Sequence, residues 1–237
     1  MVYFVVAMGA PDGETAAIRD EEQLLALLER RDLEIDFLRE IAGNPAWTKS
    51  YRVRLALLRH PRTPASKSLK FVGQLHLFDL VAVALIPHVP REVRAAAEGA
   101  ILAQLKQVPL GARVAIARRT GSEAILVRLL ADRDLPVVEA ALSNQRLTEA
   151  SIARTVRDPS APPHVVDLVS RHPKWSVRRD VRYALVRNRH TSTARALQFV
   201  AGMTREEVRA LARDPAVPAR LRAYLARTVE GRGPRAI

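Results

Sequence analysis

Apolar residues recur at helical spacing along most of the chain. In residues 177–188, one helical face gathers Val177, Val181, Ala184 and Leu185, while most of the intervening arginines lie off that face. Fourteen further segments read the same way: 20–31, 33–42, 49–60, 64–75, 78–86, 91–107, 109–119, 122–131, 135–143, 148–157, 162–171, 192–201, 204–213 and 218–229. No segment alternates long enough to predict a sheet. The sequence therefore predicts an all-α protein of about fifteen short helices.

These helices are too short to be stable alone, so each one needs burial against its neighbours. A series of short paired helices joined by short turns predicts a right-handed α-solenoid, in which each unit stacks on the next.

The chain also contains an internal duplication. Residues 45–95 align with residues 173–223 without a gap, at an offset of 128, and 18 of the 51 positions are identical. The identities include Trp47 and Trp175, which are the two tryptophans of the protein. A repeat of this kind is typical of solenoid architectures.

A shorter motif punctuates the helices. The turns after His60, Asp158 and Asp214 share a Pro at the next position, namely Pro61, Pro159 and Pro215. We expect these prolines to end one helix, and the residues that follow to start another. Dividing 128 by three predicts a repeat of about 43 residues, inside the roughly 40–47 residue period of HEAT and armadillo repeats.

On these features the chain resembles HEAT-like repeats and their bacterial relative, the leucine-rich variant repeat. The phrase Pro-x-Trp-(Ser/Thr)-x-x-x-x-Val-Arg-x-Ala-Leu at 45–57 and 173–185 is similar to that of a family of bacterial repeat proteins. The resemblance implies a scaffold that binds another macromolecule. The cysteine-ligated cluster of the leucine-rich variant type cannot transfer, because this chain has no cysteine.

Charge divides the chain unevenly. The net charge is +13, but residues 1–40 carry −6 and the other 197 residues carry +19. We predict an acidic N-terminal arm with capping helices at 1–43, a repeat array at 44–229 and a flexible tail at 230–237. Thirty-three of the 38 basic residues are Arg, which is typical of a GC-rich genome as well as of a basic binding surface.

Candidate chemistry is sparse. The histidines lack the i, i+4 spacing of a helical zinc pair, and three of them fall in the turn motif, where a capping role is expected. Asp132 and Asp134 flank Arg133 in a turn and form the one candidate carboxylate pair. Phosphate-binding glycine loops are absent from the sequence. We therefore predict a non-enzymatic protein without metal or cofactor.

The tryptophans and arginines offer the candidate binding residues. A HEAT-like DNA glycosylase family uses aromatic and basic residues, but Trp47 and Trp175 occupy equivalent positions, so both are expected to pack as structural staples. Six arginines are predicted to form a basic contact surface: Arg54, Arg146, Arg178, Arg179, Arg182 and Arg189. A protein partner is the leading expectation, and sequence-independent DNA or RNA binding is the alternative.

Targeting signals give little further information. Residues 2–8 are apolar, but they lack the basic flank and the length of a secretory signal. No run approaches the roughly 20 apolar residues of a membrane span. We expect a cytoplasmic protein that does not bind membranes.

Overall fold

The computed structural model describes residue 18 and residues 20–230, and the described residues contain sixteen α-helices, one 3₁₀ helix and no β-strand. The all-α prediction is confirmed. The first 19 residues of the predicted acidic arm, apart from Ile18, and residues 231–237 of the predicted tail lie outside the described residues.

The helices of the first half begin at Glu21. They are α1 (Glu21–Leu28), α2 (Ile35–Gly43), α3 (Pro45–Thr48), α4 (Tyr51–Arg59), α5 (Ala65–Val72), α6 (Leu77–Leu85), α7 (Arg91–Gln104) and the 3₁₀ helix (Leu105–Gln107). The helices of the second half are α8 (Leu110–Arg119), α9 (Glu123–Leu130), α10 (Leu135–Leu142), α11 (Glu149–Arg157), α12 (Pro163–Arg171), α13 (Arg179–Arg187), α14 (Thr193–Ala201), α15 (Arg205–Arg213) and α16 (Ala219–Val229).

The chain forms two compact units. Among the described residues, the first comprises those up to Pro109 together with Arg119–Ile125, and the second comprises Leu110–Arg118 and those from Leu126 to Glu230. Within the first unit, α4 packs on α5 and α6, and α5 packs on α7. Within the second unit, α10 packs on α12, and α11 packs on α13. In both units a helix therefore contacts the next helix but one as well as its immediate neighbour.

Helix boundaries repeat at the offset of 128 over a longer stretch than the identities do. Six pairs of helices begin 128 residues apart: α1 and α11, α2 and α12, α4 and α13, α5 and α14, α6 and α15, α7 and α16. In α2 the buried residues are Phe37, Leu38, Ile41 and Ala42, and the buried residues of α12 occupy the same four positions. The duplicated unit therefore begins at residue 21, and we call residues 21–104 the first copy and 149–229 the second copy.

The helices end at turns that are built around one hydrogen bond. A side chain just after the helix accepts a bond from the backbone N–H two residues later, as His60 Nδ1 does from Arg62 at 3.2 Å and Asn188 Oδ1 from His190 at 2.8 Å. The same bond is made by Asn44, Asp132, Asn144, Asp158, His172 and Asp214. Such Asx-type turns compete with helix continuation. Pro61, Pro159 and Pro215 each follow one of these residues, and α4, α11 and α15 end two residues before them.

Three of the turn side chains also bind the end of an earlier helix or the turn after it. His60 Nε2 lies 2.7 Å from the carbonyl oxygen of Arg30, and the side-chain amides of Asn144 and Asn188 donate to Ala117 O at 2.7 Å and Val156 O at 2.6 Å. These bonds provide donors for carbonyl groups that a helix end leaves without partners.

The sequence separation of these bonds gives the repeat length. Their partners are 30, 27 and 32 residues apart, and the bonds between neighbouring turns at Arg62–Asp32 and Arg189–Pro159 span 30 residues. The two-helix unit is therefore about 30 residues long, and the interval of 43 expected from dividing 128 by three is wrong. Ten α-helices, one of them only four residues long, and the 3₁₀ helix begin within residues 21–148.

Among the described helices, none combines the length and the apolarity that a bilayer crossing requires.

Candidate functional site

Both tryptophans are buried. Trp47 is 6% exposed and Trp175 is 3% exposed. The indole N–H of Trp175 donates, at 2.8 Å, to the carbonyl oxygen of Leu142, the last residue of α10. Each indole thus fills space beneath the segment before α4 or α13, and neither ring is presented to a ligand.

The arginines at the duplicated positions 54 and 182 bind their own backbone. Arg54 donates to the carbonyl oxygens of Thr48 at 2.7 Å and Lys49 at 3.0 Å. Arg182 donates to Val177 O at 2.8 Å, and residue 177 is equivalent to Lys49. Both side chains are half-buried. Their recurrence therefore reflects a shared local contact that fixes the segment leading into α4 and α13.

The segment held by Arg182 projects two side chains into solvent. Val177 is 60% exposed, the highest value among the large apolar residues described. Arg178, next in the chain, is exposed, and no described carboxylate pairs with it. Lys174 lies nearby in the chain, with its Nζ 4.1 Å from the centroid of the Trp175 ring. We call Lys174, Val177 and Arg178 the 174–178 surface.

Of the other predicted contact residues, Arg179 is paired with a carboxylate, whereas Arg189 and Arg146 are not paired with any described carboxylate. Arg179 forms an ion pair with Glu207 at 2.7 Å. The hydrogen bond from the backbone N–H of Thr204, together with this ion pair, holds the pKa of Glu207 below its usual range. Arg189 contacts His190 and Pro159 O. Arg146 is exposed three residues before α11, and no described acidic side chain binds it.

Arg146 and Arg178 lie near the same end of a helix pair. The backbone N–H of Asp180 at the start of α13 donates to Glu149 at the start of α11, at 3.0 Å. At the other end, Asn188 donates to Val156. The two helices therefore run parallel, and the residues preceding each one lie at one edge of the pair. The structure therefore places Arg146 and Arg178 before the same ends of α11 and α13, whereas Arg54 lies in the other compact unit.

The candidate carboxylate pair is held by a single arginine. Arg113, buried in α8, binds Asp132 through one terminal nitrogen and Asp134 through the other, the latter at 2.6 Å. Asp132 also accepts the backbone N–H of Asp134 at 3.0 Å. The hydrogen bond from the Arg113 guanidinium lowers the pKa of Asp134. Through these bonds Arg113 and the two carboxylates fix the turn after α9.

Three of the histidines contact backbone carbonyl oxygens through their rings. His60, His88 and His164 place Nε2 within 2.9 Å of the carbonyl oxygens of Arg30, Arg59 and Asp132. Within the described residues no group of three or more His, Asp or Glu side chains could hold a metal ion.

Charge differs sharply between the units. The described residues of the first unit hold 14 basic and 12 acidic residues, whereas those of the second hold 21 and 11, so the net charges are +2 and +10. The positive charge of the protein is therefore concentrated in the unit that carries the 174–178 surface. The sequence does not predict the exposure of Val177, because it places Val177 on the apolar face of a helix. It also does not predict the hydrogen bond from Arg182 to the carbonyl oxygen of Val177.

Comparison of the chain with protein-family models, with curated proteins and with solved structures finds no significant match.

Proposed function

We propose that this protein is a non-enzymatic α-helical repeat scaffold that binds an acidic protein partner through the 174–178 surface of its second unit. The observation that carries the proposal is the exposed pair Val177–Arg178, an apolar and a cationic side chain on a segment that two hydrogen bonds hold in place. One of these bonds, from Trp175 to Leu142, is buried, and the other, from Arg182 to Val177, is exposed.

The scaffold part of the proposal draws on the packing within each unit. Contacts such as those of α4 with α6, α5 with α7 and α11 with α13 are what a right-handed solenoid of stacked helix pairs produces. The unit of about 30 residues is shorter than the 40–47 residues of HEAT and armadillo repeats, so the resemblance to HEAT-like repeats extends to the paired helices and their turns but not to their length.

The contact surface is preorganised. Trp175 anchors the segment from below through Leu142 O, and Arg182 fixes the carbonyl of Val177. Side chains presented by a fixed backbone lose less conformational freedom on binding. Arginine beside an exposed apolar side chain is a composition typical of protein interfaces.

A protein partner is favoured over a nucleic acid by the surroundings of the surface. The neighbouring tryptophan is buried and cannot stack on a base. The exposed apolar side chain of Val177 is a contact that a protein surface can cover.

A photocrosslinking experiment tests the proposal. The full chain is produced in its source cells with a photoreactive phenylalanine analogue at position 177, and in parallel at Lys49, the equivalent exposed position of the first copy. We expect a discrete protein adduct from position 177 that position 49 does not form. Arg178→Glu should abolish the adduct, whereas Arg209→Glu should leave it intact.

A titration of duplex and single-stranded DNA and RNA at two salt concentrations provides the second arm. Micromolar binding that weakens steeply with salt and is lost in Arg178→Glu would replace the protein partner by a nucleic acid. Equal adducts from positions 177 and 49, or an adduct insensitive to Arg178→Glu, would refute the 174–178 surface.

A further inference from the structure

The first unit contains a cleft that none of the features above uses. It has a volume of about 450 Å³ and opens between α1 and α4, with the turn after α4 and the turn after α6 closing its side. Its size falls within the range of small-molecule sites, roughly 300–1,000 Å³.

The floor of the cleft is aliphatic. Leu25 and Leu28 of α1 face Leu55 of α4 across it. Leu28 is buried, while Leu25 and Leu55 are half-buried and so keep apolar surface in contact with solvent. Covering that surface with an aliphatic chain would remove it from water.

The rim of the cleft is basic. It carries Arg31, Arg52 and Arg59, against one acidic residue, Glu29. Arg52 is paired with Glu22 at 2.6 Å and with Glu21 at 3.8 Å, and Arg59 is paired with Asp79 at 3.1 Å. Arg31 is exposed, and no described carboxylate binds it. The rim therefore offers one guanidinium whose charge no described acid balances, beside two that are already held in position.

We propose that this cleft binds an aliphatic monocarboxylate of medium chain length. The chain lies over Leu25, Leu28 and Leu55, and the carboxylate binds Arg31 and shares Arg52 with Glu22. A planar guanidinium suits a carboxylate because it can donate two parallel hydrogen bonds.

The second copy shows that the cleft is a property of the first copy and not of the repeat. Tyr183 occupies the position of Leu55, and its ring lies 5.4 Å from the guanidinium carbon of Arg187. Pro159 stands in place of Arg31, and Asp180 in place of Arg52. The equivalent positions thus lack both the unpaired guanidinium and the second arginine of the rim.

Calorimetric titration of the full chain with sodium decanoate, below the concentration at which it forms micelles, tests the site. Decyltrimethylammonium carries the same tail with the opposite charge, and butyrate carries the same head group without the tail. We expect decanoate to bind one to one, and the two analogues to bind at least tenfold more weakly.

Two variants locate the binding. Arg31→Gln, an exposed substitution, should weaken decanoate binding at least tenfold. Leu55→Tyr introduces the side chain that the fold already accommodates at position 183, and it should abolish binding. Arg209→Gln is the matched control, because Arg209 is an exposed arginine without a described acidic partner in the other unit, and it should bind decanoate as the wild type does.

Equal affinity for the cationic analogue, wild-type affinity in Arg31→Gln, or no one-to-one binding of decanoate would each overturn the proposal. The cleft and the 174–178 surface lie in different units and have different readouts, so the failure of one leaves the other intact.

Discussion

His60 makes the stability of the first unit depend on pH. The ring is 3% exposed, its Nδ1 accepts the N–H of Arg62 and its Nε2 faces the carbonyl oxygen of Arg30. Both bonds require the neutral ring with its proton on Nε2. Burial lowers the pKa of His60, and Arg62 and His88 lower it further, while the Arg30 carbonyl and Asp32 act in the opposite direction.

The sign of the effect follows from the lowered pKa. Between the folded and the unfolded pKa the unfolded chain binds the proton and the folded chain does not, so unfolding becomes easier as the pH falls. The contribution of His60 is complete above its ordinary pKa and is lost as the pH drops through the folded value. With an unfolded pKa of about 6.5, one such histidine can remove at most about 2 kcal/mol between pH 7 and pH 5.

His60→Asn removes the titrating group and keeps the chemistry of the turn. Asn144 and Asn188 make the same pair of bonds, to Arg146 and Ala117 and to His190 and Val156. We expect the free energy of unfolding of His60→Asn to fall less steeply than that of the wild type from pH 7 to pH 5. If the two curves of unfolding free energy against pH differed only by a constant, the difference would reflect the smaller side chain and not the titration of His60.

Urea denaturation followed by far-ultraviolet circular dichroism, in steps of half a pH unit, measures both slopes. His172 also has a pKa lowered by burial and by Lys174, so the wild-type curve contains its contribution, which the comparison with His60→Asn cancels. The reciprocal variant Asn188→His should acquire a steeper acid limb. Parallel curves for wild type and His60→Asn would refute the assignment of a buried neutral ring.

Three further substitutions test the structural roles assigned above. Trp175→Ala should lower the free energy of unfolding by about 3–5 kcal/mol because it leaves a cavity. Trp175→Phe should lower it less, by about 1–3 kcal/mol, because the Leu142 carbonyl loses its hydrogen bond. Urea titrations that give wild-type midpoints for both variants would contradict the assignment of Trp175 as a buried anchor. Arg113→Met should destabilise the second unit, since it leaves Asp132, whose side chain is 11% exposed, without its ion pair. Arg113 also lowers the pKa of Asp134. The wild type should therefore lose stability as the pH falls through that lowered value, whereas the variant should lack this loss. Arg182→Glu should lower the melting temperature because it removes the bond to Val177, while Arg178→Glu should leave it unchanged; calorimetric melts that rank the two variants the other way would make Arg182 a surface residue.

The predicted contact surface illustrates the limit of reading side chains from a repeat. Arg54 and Arg182 are identical at an offset of 128, and a basic ladder explains such a recurrence as well as a structural contact does. The distinction depends on which way the guanidinium turns. In the folded chain it turns back to the carbonyl oxygens of the preceding segment, a choice that sequence spacing cannot indicate.

Helical periodicity, proline and side-chain turn formation are local properties, so the helical class, the turns and the duplication of 45–95 and 173–223 can be predicted from the residues alone. The extension of the duplicated unit back to residue 21 is visible in the folded chain and not in the identities. Between 21–44 and 149–172 a single identity survives, Glu21 with Glu149, yet Leu24 and Ile152, or Phe37 and Val165, are buried at equivalent positions. Packing needs apolar volume and not a particular residue, so the helices and their register persist where the identities have been lost. The repeat length of about 30 residues and the exposure of Val177 were likewise decided in three dimensions, since both depend on which helices meet.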